Sequence, residues 1–88
     1  MWAAVVSVEI EDGDKSAQML KEQVIPGVKA APGFISGVWV NVDKHHGTSI
    51  VVFDTEENVR AMMPAEGPGP MPGVTITSAK VGQVVGQA

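Results

Sequence analysis

The feature that most limits this chain is the lack of a polar face on its strand-forming stretches. From Trp2 to Ile10, Trp2, Ala4, Val6, Val8 and Ile10 fall on one side of an extended backbone, and Ala3, Val5, Ser7 and Glu9 on the other. Successive side chains of a strand point to opposite faces, so one side is wholly apolar and the other half apolar. Phe34 to Val42 repeats the pattern, with Phe34, Ser36, Val38, Val40 and Val42 against Ile35, Gly37, Trp39 and Asn41. Thr48 to Phe53 alternates as well, Ile50 and Val52 against Val51 and Phe53. An antiparallel sheet with one wet face normally shows polar residues there. A sheet built from these strands needs cover on both sides.

The segments between the strands have helical spacing. Asp12-Gly13 breaks the first strand with turn chemistry. Asp14 or Ser16 is placed to cap a helix, because a short side-chain oxygen accepts an orphan backbone N–H. Ala17, Leu20, Val24 and Val28 then recur at three- and four-residue steps, Met19 widens the stripe, and Lys15, Gln18, Lys21, Glu22 and Lys29 lie largely off it. This predicts an amphipathic helix packed on one side. Pro26 lacks the N–H that would bond back to Glu22, so the helix kinks there or restarts as a short turn, and Ala31-Pro32-Gly33 ends it. A second helix starts at Asp54-Thr55-Glu56-Glu57. Asp54 is the expected cap, with Glu57 three residues on as in a capping box, and an acidic first turn suits the helix dipole. Val59, Met62 and Met63 form its expected buried side before Pro64 closes it. Residues 64–73 hold four of the six prolines and read as a loop. Val74 to about Val85 reads as a last strand, whose phase slips near Ser78-Ala79 as a bulge would make it.

Strand, helix, strand, strand, helix, strand within 88 residues is one domain, 1–88. The polar turn Asp43 to Gly47 makes the second and third strands an antiparallel hairpin. The order fits an α+β, ferredoxin-like βαββαβ fold. Right-handed crossovers then place both helices on one face of a four-stranded antiparallel sheet. The other face is left bare. Four strands at about 4.8 Å spacing and some 20 Å long make a face of order 400 Å², whose accessible area exceeds the patch a monomer usually tolerates. At ~25 cal/mol per Å², covering it contributes on the order of 10 kcal/mol before association costs. A second copy about a two-fold axis is the simplest cover, so a homodimer is expected. The last strand adds to this. Roughly 12 residues at strand rise extend ~40 Å, about twice the other strands. Residues about 80–86 are therefore expected to leave their own sheet and lie along residues 35–42 of a partner subunit, with Val81, Val84 and Val85 at the dimer edge.

The element order, the Ala31-Pro32-Gly33-Phe34 lead-in to the second strand, and Ile50-Val51-Val52-Phe53-Asp54-Thr55-Glu56-Glu57 running into the second helix together resemble the dimeric α/β-barrel proteins of the antibiotic-biosynthesis-monooxygenase-like kind. The resemblance covers nearly the whole chain. The segment from Phe53 is similar to that family's aromatic-plus-acidic approach to helix two, where tryptophan is common. It implies two sheets facing each other across a dimer, a last strand that reaches the neighbour, and a pocket between sheet and helices for an aromatic or other small organic molecule. It implies no cofactor for the oxygenases of the family, which also holds haem degraders and members without known activity. Second helices bearing histidine are common among active members, whereas this one has Val59, Arg60, Met62 and Met63. Haem-degrading members tend to carry an asparagine on strand one, where this chain has Ser7 nearby, and tyrosine is absent. The family's catalytic residues therefore do not carry over, and the catalytic residues are left unassigned. The function read here is binding of a small organic molecule, with cofactor-free monooxygenase-like chemistry left open. The alternative is a non-enzymatic binding or assembly module with a filled core.

Candidate chemistry is sparse. Trp39 and Asn41 share a face, and an aromatic wall beside an amide suits a planar oxygenated ligand. An amide can also support a developing oxyanion. Met62 and Met63 are the adaptable thioethers expected near such a pocket. His45 and His46 are neighbours on an extended segment and point apart, so they read as turn residues rather than metal ligands. Glu9, Glu11, Asp12 and Asp14 read as a solvated cluster, and no serine has a partnered base at a recognisable spacing. Gly67-Pro68-Gly69-Pro70 lacks the free N–H groups and following lysine of a phosphate loop. With no cysteine, disulfides and thiolate metal sites are excluded. A net charge of −4 with 6 scattered basic residues gives no track for nucleic acid and little hold on an anionic membrane. The apolar start lacks a positive region before it and ends at Glu9, too short for a membrane span, so a cytoplasmic protein is expected.

Overall fold

Trp2 to Ile10 (β1) takes the centre of the sheet because it is apolar on both sides. In the computed structural model, which describes residues 1–64, 67–68 and 73–88, β1 pairs antiparallel with His46–Phe53 (β3) on one side and Val74–Gln83 (β5) on the other. Phe34–Asn41 (β2) pairs with β3 and forms one edge. A two-residue strand, Gly67–Pro68 (β4), lies beyond β5, giving the order β2-β3-β1-β5-β4. β4 falls within the stretch expected to be loop. It pairs only with Ile76 and Thr75, and an edge is where a sheet admits proline. The rest of that expected loop, residues 65, 66 and 69–72, lies outside the described residues. The fold is α+β: four long antiparallel strands and two helical segments.

Two register shifts decide which side chains share a face. In β5, Ser7 opposes Ser78 while Val8 opposes Ile76, so Thr77 is the extra residue. Its hydroxyl donates to the Ser7 carbonyl at 3.1 Å. This is the expected phase slip. It brings Val74, Ile76, Ala79 and Val81 opposite Ile10, Val8, Val6 and Ala4, so two apolar parities of the sequence end on one side. In β2 the shift lies between Phe34 and Ser36. Phe34 opposes Phe53 and meets it edge to face, ring centroids 6.2 Å apart. The alternation had grouped Phe34 with Val38 and Val40. The bulge detaches it from them, leaving it packed on the core while they stay exposed.

The first helical segment starts one turn residue early. Asp12, not Asp14 or Ser16, is the cap of Gly13–Met19 (α1), accepting from the Lys15 N–H at 3.2 Å. A π-helical stretch, Leu20–Val24, follows, and Ile25–Lys29 (α2) completes the segment. The wider turn, in which the Ile25 N–H reaches back to the Leu20 carbonyl, lets Pro26 enter at the start of α2, where its missing N–H leaves no helical bond broken. Glu56–Met62 (α3) is capped by Thr55, which accepts from the Asn58 N–H at 3.2 Å. The expected cap, Asp54, instead accepts from the Asn58 side chain at 2.8 Å and receives no N–H of the helix through its carboxylate. Its backbone N–H donates to the Gly33 carbonyl. Gly33 has φ +79°, and a Cβ there would run into Asp54 and Asn58. This turn therefore needs glycine.

Ala4, Val51, Phe53 and Val59 form one packed core cluster, and Ala3, Ile10, Val52, Val74 and Ile76 are buried as well. Phe53 and Val59 are the deepest, at 1% and 0% exposure. Val28 and Ala31 from the end of the first segment and Met63 after α3 pack on the same cluster, so both helical segments cover one face. On the other face Val5, Val38 and Ile50 are exposed. The register aligns Val38, Ile50 and Val5 in one row across three strands.

The expected departure of residues 80–86 from their own sheet is not what the chain does. Lys80 to Gln83 pair in order with Val5 to Trp2, and the Val84 N–H donates to the Met1 carbonyl at 3.0 Å. β1 is as long as this extension, so the backbone finds its partners at home. Val81 opposes Ala4 and packs on the core. Val84 lies just past the strand, and Val85 is 98% exposed. Among the described residues no helix is long and apolar enough to cross a membrane.

Candidate functional site

The first helical segment touches the sheet at its ends and stands off it in the middle. Ser16 is buried near its start, and Val28 and Ala31 meet the core at its finish. Between them no residue of the π-helical stretch or of α2 is buried. A sequence that put Leu20, Val24 and Val28 on one stripe predicts full burial of that stripe. Here it is half-buried, because it faces a cavity of about 510 Å³ rather than packed side chains.

Strand and helix each supply one wall. Ala4, Val6, Val8 and Ile10 of β1, Ser49 and Val51 of β3, and Val74 and Ile76 of β5 form the floor. Ala17, Leu20, Lys21, Val24 and Ile25 form the roof. Trp39 and Asn41 line it from the β2 edge, and Met62 from α3. The walls are overwhelmingly apolar. The polar residues of the lining are Ser16, Lys21, Asn41, Thr48 and Ser49, with the amphipathic Trp39. The Thr48 hydroxyl is already spent on the Val6 carbonyl at 3.2 Å. Volume and lining are those of a site for a small organic molecule.

Three of the four pocket residues expected from the sequence are thus brought together: Trp39, Asn41 and Met62. Met63 is not. It packs on the core cluster and does not line the cavity. Pro64 causes this, because the residue before a proline is driven from helical to extended backbone; Met63 has ψ 126° and leaves the helix axis. Met62, expected to be buried, is 40% exposed because it faces the open space. Trp39 lies over Gly37, where a Cβ would sit 2.8 Å from the six-membered ring of the indole. The alternation contained the signal for Gly37 and Trp39 sharing a face. It contained none for Lys21, which the helical stripe had placed off the buried side, nor for Ser16 and Ser49.

The histidines serve the β2–β3 turn. His46 Nδ1 lies 2.9 Å from Asp43, and His45 Nδ1 lies 3.0 Å from the Ile10 carbonyl. The His45 backbone N–H donates to Asp43 at 2.8 Å. That bond first, and His46 second, hold the Asp43 carboxyl below its ordinary value. Glu9, Glu11, His45 and His46 border a shallow depression at this end of the sheet. Asp12 is turned away as the α1 cap. Among the described residues no three histidine or acidic side chains gather as a metal site.

No family model matches the chain, and neither a curated protein nor a solved structure is similar to it.

Proposed function

We propose that this chain is a binding protein for a small organic molecule, held between the sheet and the first helical segment. The observation that carries the reading is the apolar cavity of about 510 Å³ with Trp39, Asn41 and Met62 on its walls. The space is a concave, partly open cleft with apolar walls, and such clefts are where small organic molecules bind. Binding, rather than turnover, is the part of the reading the lining supports. Among the described residues lining the cavity there is no carboxylate or imidazole to take up a proton. Cofactor-free oxygenase chemistry would need the substrate to ionise by other means.

The ferredoxin-like, dimeric α/β-barrel assignment belongs to this proposal. The strand order β2-β3-β1-β5 with both helical segments over one face supports it. The exposed row Val38, Ile50 and Val5 supports a homodimer that covers the second face. The proposal keeps the protein in the cytoplasm, away from membrane and nucleic acid. Trp39 fluorescence tests the ligand site, with Trp2→Phe to isolate the signal. A panel of aromatic and polyketide-like compounds should contain members that shift it saturably; a panel without any response would overturn the reading. Sedimentation equilibrium at micromolar concentration tests the dimer. A single 9.2 kDa species would contradict it, and Val38→Lys should dissociate a dimer formed through the open face.

A further inference from the structure

We propose that the molecule held in the cavity is an apolar monoanion: a hydrocarbon or aromatic body carrying one ionised oxygen group. This rests on the binding reading above and adds the charge and polarity of the ligand. Lys21 is the one ionisable side chain among the described residues lining the cavity. The chain carries a net charge of −4, so a lone cation on the lining of this apolar cavity runs against the charge of the molecule as a whole. Among the described residues the ion pairs are His46–Asp43 and Arg60–Glu56; neither involves Lys21. Lys21 lines the cavity while remaining an exposed residue, so it stands at the solvent side of the space.

A second observation comes from Ser16. It is a buried polar residue, 8% exposed, and it lines the cavity. Asn41 and Ser49 line the same space. Polar groups on an apolar wall cost free energy unless something bonds to them.

These groups discriminate between ligand classes. A cation would lie near Lys21 and find no carboxylate on the walls. A pure hydrocarbon would cover Ser16 and Asn41 and leave them unpaired. A carboxylate, sulfonate, phenolate or enolate on an apolar body meets both demands, since it accepts a charge-assisted bond from Lys21 and ordinary bonds from the hydroxyls and the amide.

The test uses two dyes with the same body, anilinonaphthalene sulfonate and its uncharged parent phenyl-naphthylamine, titrated into the full chain and followed by dye emission. Loss of one charge-assisted hydrogen bond predicts that Lys21→Gln weakens the anionic dye about tenfold and leaves the neutral dye within about twofold. Lys29→Gln, which removes the same charge from a residue outside the lining, should leave both unchanged. Ser16→Ala should weaken the anionic dye by a smaller factor. Equal effects of Lys21→Gln on both dyes, or equal effects of Lys21→Gln and Lys29→Gln on the anionic one, would overturn the anion proposal while leaving the cavity reading intact. Failure of both dyes to bind the unmodified chain would overturn the cavity reading itself.

Discussion

Gly37→Ala tests how the aromatic wall of the cavity is held. A Cβ at position 37 would lie 2.8 Å from both Cη2 and Cζ3 of Trp39. Carbon atoms in contact rest at about 3.5–4.0 Å, so the ring must retreat by roughly 1 Å or the strands must separate. Overpacking of this kind costs about 1–3 kcal/mol. Removing a glycine from a strand returns roughly 0.5–1 kcal/mol. The difference is a net loss of about 1 kcal/mol, and for a domain of this size that lowers Tm by about 4–8 °C. The indole has one direction to move, toward the cavity it lines. Urea unfolding in a Trp2→Phe background reports both effects at once. The midpoint should fall with an unchanged slope, and the native emission of Trp39 should change. A higher midpoint with unaltered emission would show that the ring does not rest on Gly37, and the described wall would be wrong.

Other expectations follow from single contacts. Thr55→Ala removes the α3 cap and should cost about 1 kcal/mol by denaturant unfolding, whereas Asp54→Ala should leave the helix N–H groups satisfied. Phe53→Ala opens the deepest point of the core and should cost about 3–5 kcal/mol, enough to unfold much of the population in a domain this small. The Asp43 carboxyl is held below the ordinary aspartate value, first by the His45 backbone N–H and then by His46. Its contribution to stability is therefore present above the ordinary value and lost as pH falls through the lower folded one. An NMR titration should find its midpoint below that of an unperturbed aspartate, and Asp43→Asn should remove that part of the acid dependence. Truncation after Gln83 should leave the melting temperature nearly unchanged. Truncation after Ala79 removes four residues paired with β1 and should destabilise the chain strongly even at concentrations where it is monomeric.

The alternation of β1, β2 and β3 carried most of the fold, because period-two apolarity in short segments leaves a strand few alternatives. The hairpin followed from the length of its turn. Registers did not follow. Nothing in Phe34-Ile35-Ser36 announces that one residue will bulge, yet that bulge moves Phe34 onto Phe53 and leaves Val38 in the open. The last strand's length alone does not say where it pairs; β1 is long enough to partner it. At the site, Trp39 and Asn41 are legible from parity alone. Met63 departs from the helical stripe because Pro64 drives its backbone out of the helix. Lys21 could not be found from helical periodicity, since a π-helical turn rotates the residues around it relative to a regular helix. The cavity itself has no sequence signature. A stripe of Leu20, Val24 and Val28 reads the same whether it meets side chains or a gap.

Methyl-group NMR with bound phenyl-naphthylamine tests the central claim most directly, because the two faces of the sheet carry different methyls. A ligand between sheet and helix should give intermolecular nuclear Overhauser effects to Val6, Val8, Leu20 and Val24, which line the cavity. Val5, Val38 and Ile50, exposed and outside the cavity lining, should give none. Contacts confined to Val5, Val38 and Ile50 would mean that the dye coats the bare sheet and that the cavity is not a binding site.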